Sequence, residues 1–306
     1  METRLRQSEK FPIHLMQVAS SPCLAVGGSW DFKQSGVVAL RSEEGKWAFH
    51  PPEIAIDAMP YILNDVSFPD PSTGWAAGDR GVVLITTDAG RTWKQQRRGK
   101  IYEHLHGIWF TDRSRGFIAG PEGLHRTTDG GESWARSGRG DLYDVCFSDE
   151  QHGWAVGNFP AALQSADAGA SWRPLALPGH RQYDWLVSVR FSDPQHGAVA
   201  GFNDGRQIGS LEPGDGAIVY LTQDGGLTWT RRGGELPVRL TDVWFQDAKK
   251  GWVCGESRPD GRGVIYETRD GGETWSQVPL ELEGLPTCLN AGWGCTDKGE
   301  LLRLSQ

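Results

Sequence analysis

Short apolar runs recur along the chain at a regular interval, and polar turns rich in glycine separate them. One recurring segment alternates into an aromatic residue, passes a D-x-x-x-G turn and resumes as a short apolar run ending in glycine, as in "VCFSDEQHGWAVG". The turn occurs five times, at Asp70/Gly74, Asp112/Gly116, Asp149/Gly153, Asp193/Gly197 and Asp247/Gly251. Apolar alternation on both sides of a tight turn predicts a β-hairpin.

A second motif follows each hairpin. It has the form [S/T]-x-D-x-G-x-[S/T]-W and occurs as "TTDAGRTW", "TTDGGESW", "SADAGASW", "TQDGGLTW" and "TRDGGETW". The first motif forms the turn between strands a and b of a repeated unit, and the second forms the turn between strands c and d. Four short antiparallel strands repeated about every 40 residues are typical of a propeller blade.

The five clear units are preceded by an eroded one, Cys23 to Trp47, and followed by a three-strand half-unit that begins at Leu285. The segment Thr3 to Ser8 can supply the missing strand and close the ring, which removes the edges of an open array. The sequence therefore predicts an all-β fold, a single propeller of seven four-stranded blades, with six or eight blades as alternatives. The predicted blades cover approximately residues 11–52, 61–98, 104–138, 141–175, 185–233, 239–280, and 285–306 plus 3–8.

Composition and charge narrow the class of protein. With 306 residues, 38% of them apolar, the chain can bury a substantial core. A formal net charge of −8 argues against nucleic-acid binding, which depends mainly on lysine and arginine side chains. We see no apolar run of the length of a signal peptide or a membrane span, so we expect a cytoplasmic protein without a transmembrane segment.

The cysteines are widely spaced and form neither a CxxC pair nor a zinc-binding pattern. Free cysteine usually behaves as a small buried hydrophobe. We therefore predict reduced, mostly buried thiols, no metal site and no cofactor. The five are Cys23, Cys146, Cys254, Cys288 and Cys295.

The paired F-x-D-x-x-x-G-W and T-x-D-G-G-x-T-W motifs resemble those of Asp-box (BNR-type) propellers. Among these, they look most like the photosystem II stability/assembly factor family. The resemblance is strong over residues 60 to 280 and weak at the ends. It implies a seven-bladed, non-catalytic assembly factor that holds a partner protein and carries an arginine-rich patch on one face. Lumenal members carry export signals, so we expect a cytoplasmic relative here.

The residues that recur in the Asp box indicate a structural role. An aspartate at the start of the c–d turn can accept hydrogen bonds from the turn's own amides, and the following glycine permits a positive φ. A cation site would need several oxygen ligands at one point, whereas successive copies lie on different blades. We therefore assign a structural role to Asp88, Asp129, Asp167, Asp224 and Asp270.

The two faces of a propeller differ in how freely their loops vary. The a–b and c–d turns, which carry both motifs, lie on one face, so variation is concentrated in the b–c and d–a connections on the other. Loops that a rigid scaffold positions are the usual place for binding. This variable face carries the insertions at 202–217 and 256–263, the segment around Trp30, and the loop "PGHRQYDWL" at 178–186.

Candidate binding residues follow from that division of the faces. The loop at 178–186 combines cationic, acidic and aromatic side chains, a mixture suited to recognising a sugar, a peptide or a carboxylate. Acidic and amide residues follow strand b near the central opening, and basic residues follow strand d. The candidates are Trp30, Asp79, Arg97, Arg98, Glu122, His180, Arg181, Tyr183, Asp184, Trp185, Asn203, Asp204, Arg206, Glu256 and Arg258.

Two further groups lie on inner strands. Asp65, Asp144 and Asp242 occupy strand a, where alternation can direct their side chains into the central channel. A ring of carboxylates there could bind a cation or a basic partner, or serve only strand-end hydrogen bonding. His104 and His106 are two residues apart and could form a metal pair, for which the sequence shows no third ligand.

Two functions from different classes remain. The favoured one is a non-catalytic, assembly-factor-like propeller that docks a partner protein on its variable face. The alternative is a sialidase-like glycoside hydrolase or lyase acting at the channel mouth, because Asp boxes also occur in such enzymes. That enzyme would need an arginine triad beside a Tyr/Glu pair and an acidic proton donor. We see one inward arginine candidate on strand a, Arg190, so we predict no catalytic residues.

Overall fold

The computed structural model describes residues 14–20, 23–28, 36–41, 47–50, 61–96, 104–203, 216–290 and 292–304. These residues form seven antiparallel sheets, each with its strands ordered as they follow along the chain. Six sheets have four strands, and the seventh has three described strands. The structure confirms the predicted all-β propeller of seven blades. The predicted closing strand at residues 3–8 lies outside the described residues.

The first three blades contain strands β1 to β12. Blade 1 consists of β1 (His14–Ser20), β2 (Cys23–Gly28), β3 (Val37–Arg41) and β4 (Trp47–His50). Blade 2 consists of β5 (Leu63–Ser67), β6 (Gly74–Gly78), β7 (Val83–Thr86) and β8 (Lys94–Gln95), with a 3-10 turn at Asp79–Gly81. Blade 3 consists of β9 (Gly107–Phe110), β10 (Gly116–Gly120), β11 (Gly123–Thr127) and β12 (Ala135–Gly138).

The remaining blades contain strands β13 to β27. Blade 4 consists of β13 (Leu142–Phe147), β14 (Gly153–Gly157), β15 (Ala162–Ser165) and β16 (Arg173–Pro174). Blade 5 consists of β17 (Asp184–Phe191), β18 (Gly197–Asn203), β19 (Ala217–Thr222) and β20 (Thr230–Arg232). Blade 6 consists of β21 (Val238–Phe245), β22 (Gly251–Ser257), β23 (Gly263–Thr268) and β24 (Ser276–Gln277), and blade 7 of β25 (Pro286–Asn290), β26 (Trp293–Thr296) and β27 (Leu301–Arg303).

The hydrophobic core lies between neighbouring blades. Strand a ends in an aromatic ring that packs against a tryptophan of the preceding blade: Trp75 stacks on Phe110 at 3.7 Å and Trp154 on Phe191 at 4.0 Å between ring centroids. The glycine that opens strand b leaves room for that ring, because a Cβ on Gly116 would lie 2.5 Å from the Phe110 ring. The D-x-x-x-G spacing therefore places the interblade aromatic contacts.

The Asp-box turns share one hydrogen-bond pattern. Asp129 accepts bonds from the Thr127 hydroxyl (2.7 Å), the Ser133 amide (2.9 Å) and the Ser133 hydroxyl (2.6 Å). The Trp134 indole N–H donates to the carbonyl oxygen of Gly131 at 3.1 Å. The corresponding hydroxyl and amide contacts occur at Asp88, Asp167, Asp224 and Asp270.

Blade 7 closes the ring against blade 1. Strand β1 contacts β25 and β26, and a buried apolar cluster joins the two blades through Ala25, Val37, Trp293 and Leu301. Cys288 and Cys295 of the same cluster lie opposite each other on β25 and β26 and form a disulfide. The prediction of reduced thiols is therefore wrong for this pair, since sequence separation does not reveal cross-strand register.

Two other thiols agree with the expectation from sequence. Cys146 and Cys254 are free and buried, one in blade 4 and one in blade 6. Burial raises the pKa of both thiols above the usual range, so both remain protonated and unreactive at neutral pH. The side chain of Cys23 lies outside the described residues.

Candidate binding face

The candidate binding surface lies on the variable face, where blades 4, 5 and 6 meet. The antiparallel order of each blade places the b–c turns and d–a connections together on this face, away from the Asp boxes. Five of the sequence-predicted site residues lie outside the described residues, so their predicted roles stay predictions: Trp30, Arg97, Arg98, Asp204 and Arg206.

Asp184 is the buried anchor of the loop at 178–183. Its side chain is fully buried and accepts hydrogen bonds from the Asn203 side-chain amide (2.6 Å) and the Arg181 backbone N–H (3.0 Å). The guanidinium of Arg231 lies 3.6 Å from its second oxygen. A buried carboxylate is stable when cations and N–H donors surround it. The buried Asp184 carboxylate therefore fixes the position of the loop and of the Arg231 side chain.

The placement of Asp184 and Trp185 in a connecting loop was wrong. Both residues belong to β17, an eight-residue strand that pairs with the seven-residue β18 as far as Asn203. The residues also bridge to blade 4, because Trp185 pairs with Asn158 and the Phe159 N–H donates to the Asp184 carbonyl at 3.1 Å. Strand a of blade 5 thus begins at Asp184, one residue before the predicted start of the blade at 185.

The loop that precedes β17 presents one arginine and two aromatic groups. Arg181 and Tyr183 are exposed, and His180 is partly buried with its ring edge-on to Phe159 at 5.0 Å. Burial is the main cause that lowers the pKa of His180, so its imidazole is neutral at neutral pH. Tyr183 has a φ of 68°, a conformation that non-glycine residues adopt rarely.

Exposed aromatic side chains collect on this face. Phe159 is 40% exposed and Tyr183 38% exposed, and the other large exposed apolar residue in the described part of the chain is Leu227, at an Asp-box turn. Exposed apolar groups that cluster mark interaction surfaces. Sequence analysis missed Phe159, because it occupies a b–c turn that carries no repeated motif.

Arginines of blade 6 border the same surface. Arg258 is exposed; its guanidinium donates to the Asn203 carbonyl, and its backbone N–H donates to the Pro237 carbonyl at 2.8 Å. Arg239 is exposed and lies over the Phe202 ring, with its guanidinium carbon 4.3 Å from the ring centroid. Glu256 is half-buried and faces Arg239 across the β21–β22 pair. Sequence reasoning missed Arg239 because it lies on a strand.

Blades 2 and 3 place two predicted residues farther round the face. Asp79 accepts a hydrogen bond from the Asn64 side chain at 3.2 Å and lies 2.7 Å from Nδ1 of the exposed His104. Glu122 is exposed in the β10–β11 turn, and its carbonyl accepts a bond from Arg136. His106 packs against Tyr143, with ring centroids 4.9 Å apart, whereas His104 faces Asp79.

The inner-strand aspartates join neighbouring blades. Asp65 accepts one bond from its neighbour Val66 N–H (2.8 Å) and one from the Ile108 N–H of blade 3 (2.7 Å). Asp144 reaches Val189 of blade 5, and Asp242 reaches Leu289 of blade 7, at 2.9 and 2.7 Å. The sequence left two roles open for these aspartates, the binding of a cation or basic partner and hydrogen bonding at strand ends. The observed contacts match the second role.

Arg190 lies among these buried carboxylates. Its guanidinium pairs with Asp144 and donates to the Val189 carbonyl at 2.9 Å. Burial and repulsion from Asp144 raise the pKa of Asp65 to about 7, and burial, with repulsion from Asp242, raises the pKa of Asp144 to about 6. The single predicted inward arginine is therefore held by a carboxylate within the ring.

The described residues also bear on metal binding and on membrane spans. No group of three or more His, Cys, Asp or Glu side chains in this part of the chain is arranged to hold a metal ion. Likewise, none of the described segments forms a helix long and apolar enough to cross a bilayer.

Part of the sequence is similar to known proteins. A family model described as "Photosynthesis system II assembly factor YCF48" matches residues 17–127. The photosystem II stability/assembly factor HCF136 of Arabidopsis thaliana is 27% identical over 101 residues, 33% of this chain and 25% of that protein. Its counterpart from Oryza sativa is 26% identical over 122 residues, 33% of this chain and 29% of that protein.

The whole ring compares well with a solved structure. A structure of YCF48 bound to a D1 peptide superposes with a TM-score of 0.69 at 18% identity and covers 100% of this chain and 97% of that one. This chain is a BNR-type propeller resembling the photosystem II assembly factors. The likeness of the structures, at this identity, shows the fold alone. The matched segments span at most 30% of the curated relatives' lengths.

Proposed function

We propose that this BNR-type propeller is a non-catalytic assembly factor that docks a partner protein on the variable face of blades 4 to 6. The observation that carries the proposal is the buried Asp184 carboxylate, which holds the 178–183 loop against β18 and β20. Around this anchor, exposed arginines lie beside exposed aromatic rings, the residue types that dominate protein–protein contacts.

Similar proteins support the same proposal. The relatives that match the sequence are named as photosystem II stability or assembly factors, and one structural neighbour is bound to a peptide. A partner polypeptide is therefore the occupant that the resemblance favours for this face. We extend the proposal to a cytoplasmic location, as expected from the sequence.

A charge-reversal experiment tests the docking face. Arg181→Glu and Arg258→Glu change exposed side chains on the variable face, whereas Arg269→Glu changes an exposed arginine beside an Asp box. Tagged wild type and variants, purified from the native cell, are compared by quantitative mass spectrometry. We expect a partner protein that the wild type and Arg269→Glu recover and that the double variant loses at least tenfold, about 1.4 kcal/mol.

The result can also contradict the proposal. Equal recovery of every specific partner by the wild type and the double variant would show that the variable face of blades 4 to 6 is not the docking surface. Circular dichroism melting of each variant separates lost docking from lost folding.

A further inference from the structure

Four rings form a continuous row across blades 3, 4 and 5, which we call the aromatic track: His106, Tyr143, Trp185 and Phe202. Successive ring centroids lie 4.9, 5.8 and 5.9 Å apart. The guanidinium of Arg239, from blade 6, caps the row 4.3 Å from the Phe202 ring. The rings thus cross two blade boundaries, and Arg239 extends the row across a third.

The track is both rigid and partly open to solvent. His106, Tyr143 and Trp185 are half-buried, so each ring keeps an accessible part, while Phe202 is buried at the end of the row. The Asn158–Trp185 bridge fixes blade 5 to blade 4 beneath the rings. Tyr143, Trp185 and Phe202 belong to strands, and His106 immediately precedes β9. Because strands hold three of the four rings, a ligand that binds them orders few groups.

The spacing of the rings suits an extended chain. Alternate side chains of a β-strand lie on one side and repeat roughly every 6.6 Å. The observed steps of 4.9 to 5.9 Å between rings are close to that repeat. A segment of about five extended residues could therefore set alternate side chains against successive rings of the track.

The two ends of the track differ in charge. At the blade 6 end lie the exposed guanidinium groups of Arg239 and Arg258. At the blade 3 end, the carboxylates of Asp141 and Asp79 lie near His106, together with His104, whose ring contacts Asp79 at 2.7 Å. A ligand complementary to the row therefore carries acidic groups at one end and basic groups at the other, with aromatic or apolar groups between them.

We propose that the aromatic track binds an extended polypeptide segment with an aromatic centre, a basic end over blade 3 and an acidic end over blade 6. The proposal rests on the proposed function, because it names the part of a partner protein that the variable face recognises. Stacking on the track supplies affinity, and the charged ends fix the direction of the segment.

A defined peptide tests the proposal. The probe is a fluorescein-labelled, C-terminally amidated peptide in which two lysines precede three tyrosines alternating with glycines, followed by two aspartates. The same peptide in reversed order covers the other chain direction, and alanine in place of tyrosine gives the control. Fluorescence anisotropy should show saturable binding of one tyrosine peptide to the full chain and at least tenfold weaker binding of its alanine control.

Variants of the track locate the binding. Tyr143→Ala and Trp185→Ala should each weaken peptide binding roughly threefold to tenfold, the usual range for losing one aromatic contact. Tyr143→Phe should retain binding, because the ring remains. Leu227→Ala, at a residue 82% exposed on the Asp-box face, is the matched control and should leave binding unchanged.

A charge swap tests the direction of the segment without altering a ring. Arg239→Glu should weaken binding of the tyrosine peptide, and a peptide with lysines in place of the two aspartates should recover the lost affinity for this variant. Arg239 is exposed but covers the Phe202 ring and faces Glu256, so circular dichroism melting of Arg239→Glu separates lost binding from lost folding.

The proposal and the proposed function can fail separately. Absence of saturable peptide binding up to about 1 mM, or equal binding by Tyr143→Ala, Trp185→Ala and Arg239→Glu, would overturn the track as a peptide site. If the partner protein is nevertheless lost by Arg181→Glu/Arg258→Glu, the docking face stands without the track. If no partner depends on either set of variants, the proposed function fails as well.

Discussion

Buried aspartates show how single residues join neighbouring blades. A register shift in strand a precedes each of these aspartates, Asp65, Asp144 and Asp242. Each carboxylate accepts one hydrogen bond from the backbone N–H of the following residue and one from a backbone N–H of the next blade. The aspartates belong to blades 2, 4 and 6. The blades that donate the N–H groups, 3, 5 and 7, carry small residues at the corresponding position, namely Gly107, Ser188 and Cys288. A Cβ on Gly107 would lie 2.9 Å from the Tyr143 carbonyl oxygen, so a larger residue cannot fit there.

Asp65 should make stability depend on pH. Burial and the Asp144 charge raise its pKa to about 7, against about 3.9 in an unfolded chain. The folded state therefore retains a proton that the unfolded state has released, so the free energy of unfolding falls as pH rises from about 4 to about 7. Urea unfolding at pH 5 and pH 8 should show the fall, and Asp65→Asn should reduce it by up to about 1.4 kcal/mol per pH unit.

The Asp-box residue Asp129 is the matched control for that measurement. Hydrogen bonds from Ser133 lower its pKa to about 2, so its contribution to stability is present above about pH 4 and is lost as pH falls toward 2. Asp129→Asn should leave the change between pH 5 and pH 8 intact. An Asp65→Asn variant with the wild-type pH slope would show that Asp65 is ionised in both states.

At the scale of elements, strand pairing determines which residues become neighbours, and the spacing of residues along the chain does not reveal it. The long β17–β18 pair carries Trp185 out of the predicted loop and into the aromatic track. The β25–β26 pair sets Cys288 opposite Cys295, with their Cα atoms 5.4 Å apart, although seven positions separate them in sequence. The crosslink lies in the cluster that joins the last blade to the first.

The disulfide can be measured by thiol counting. Alkylation of the unfolded, unreduced protein should modify three cysteines, Cys23, Cys146 and Cys254, and reduction should raise the number to five. Cys288→Ser/Cys295→Ser should lower the free energy of unfolding by about 2–3 kcal/mol, the loop-closure value for so short a loop. Five modified cysteines before reduction would contradict the crosslink, whereas a crosslink found in cell extracts would count against the proposed cytoplasmic location.

At the scale of the whole molecule, the ring closes by contact between the first blade and the last blade. Strand β1 packs on β25 and β26, and Leu289 and Leu302 of blade 7 pack with Trp252 and Ile265 of blade 6. Each blade therefore buries its apolar faces only when both neighbours are present. The overall charge of −8 also contrasts with the arginines on the variable face, so charge attraction there is local rather than general.

Removing the last blade should abolish cooperative folding. A chain that ends at Gly284 lacks β25 to β27 and exposes apolar faces of blades 1 and 6 to water. We expect aggregation in size-exclusion chromatography and no sharp thermal transition by circular dichroism, with the full chain as the control. A monomeric truncated protein that melts cooperatively would show that six blades can close by themselves.

The sequence alone determined the repeat, the four-strand unit and the two faces, and it favoured seven blades over six or eight. Those features depend on local chemistry: a hairpin turn needs its aspartate and glycine, and an Asp box needs its hydroxyls and indole within a few residues. The same motifs therefore predicted the turns at Asp129 and its four counterparts without knowledge of distant contacts.

Only the tertiary structure decided which residues of different blades meet. The row from His106 to Phe202, the Asp65–Ile108 bond and the Cys288–Cys295 crosslink join residues on different strands, and most of them join different blades. Such contacts depend on strand register and blade packing, because a shift of one residue turns every side chain to the other face. The repeat thus shows where the variable face lies, and the packing of blades 3 to 6 shows what chemistry it presents.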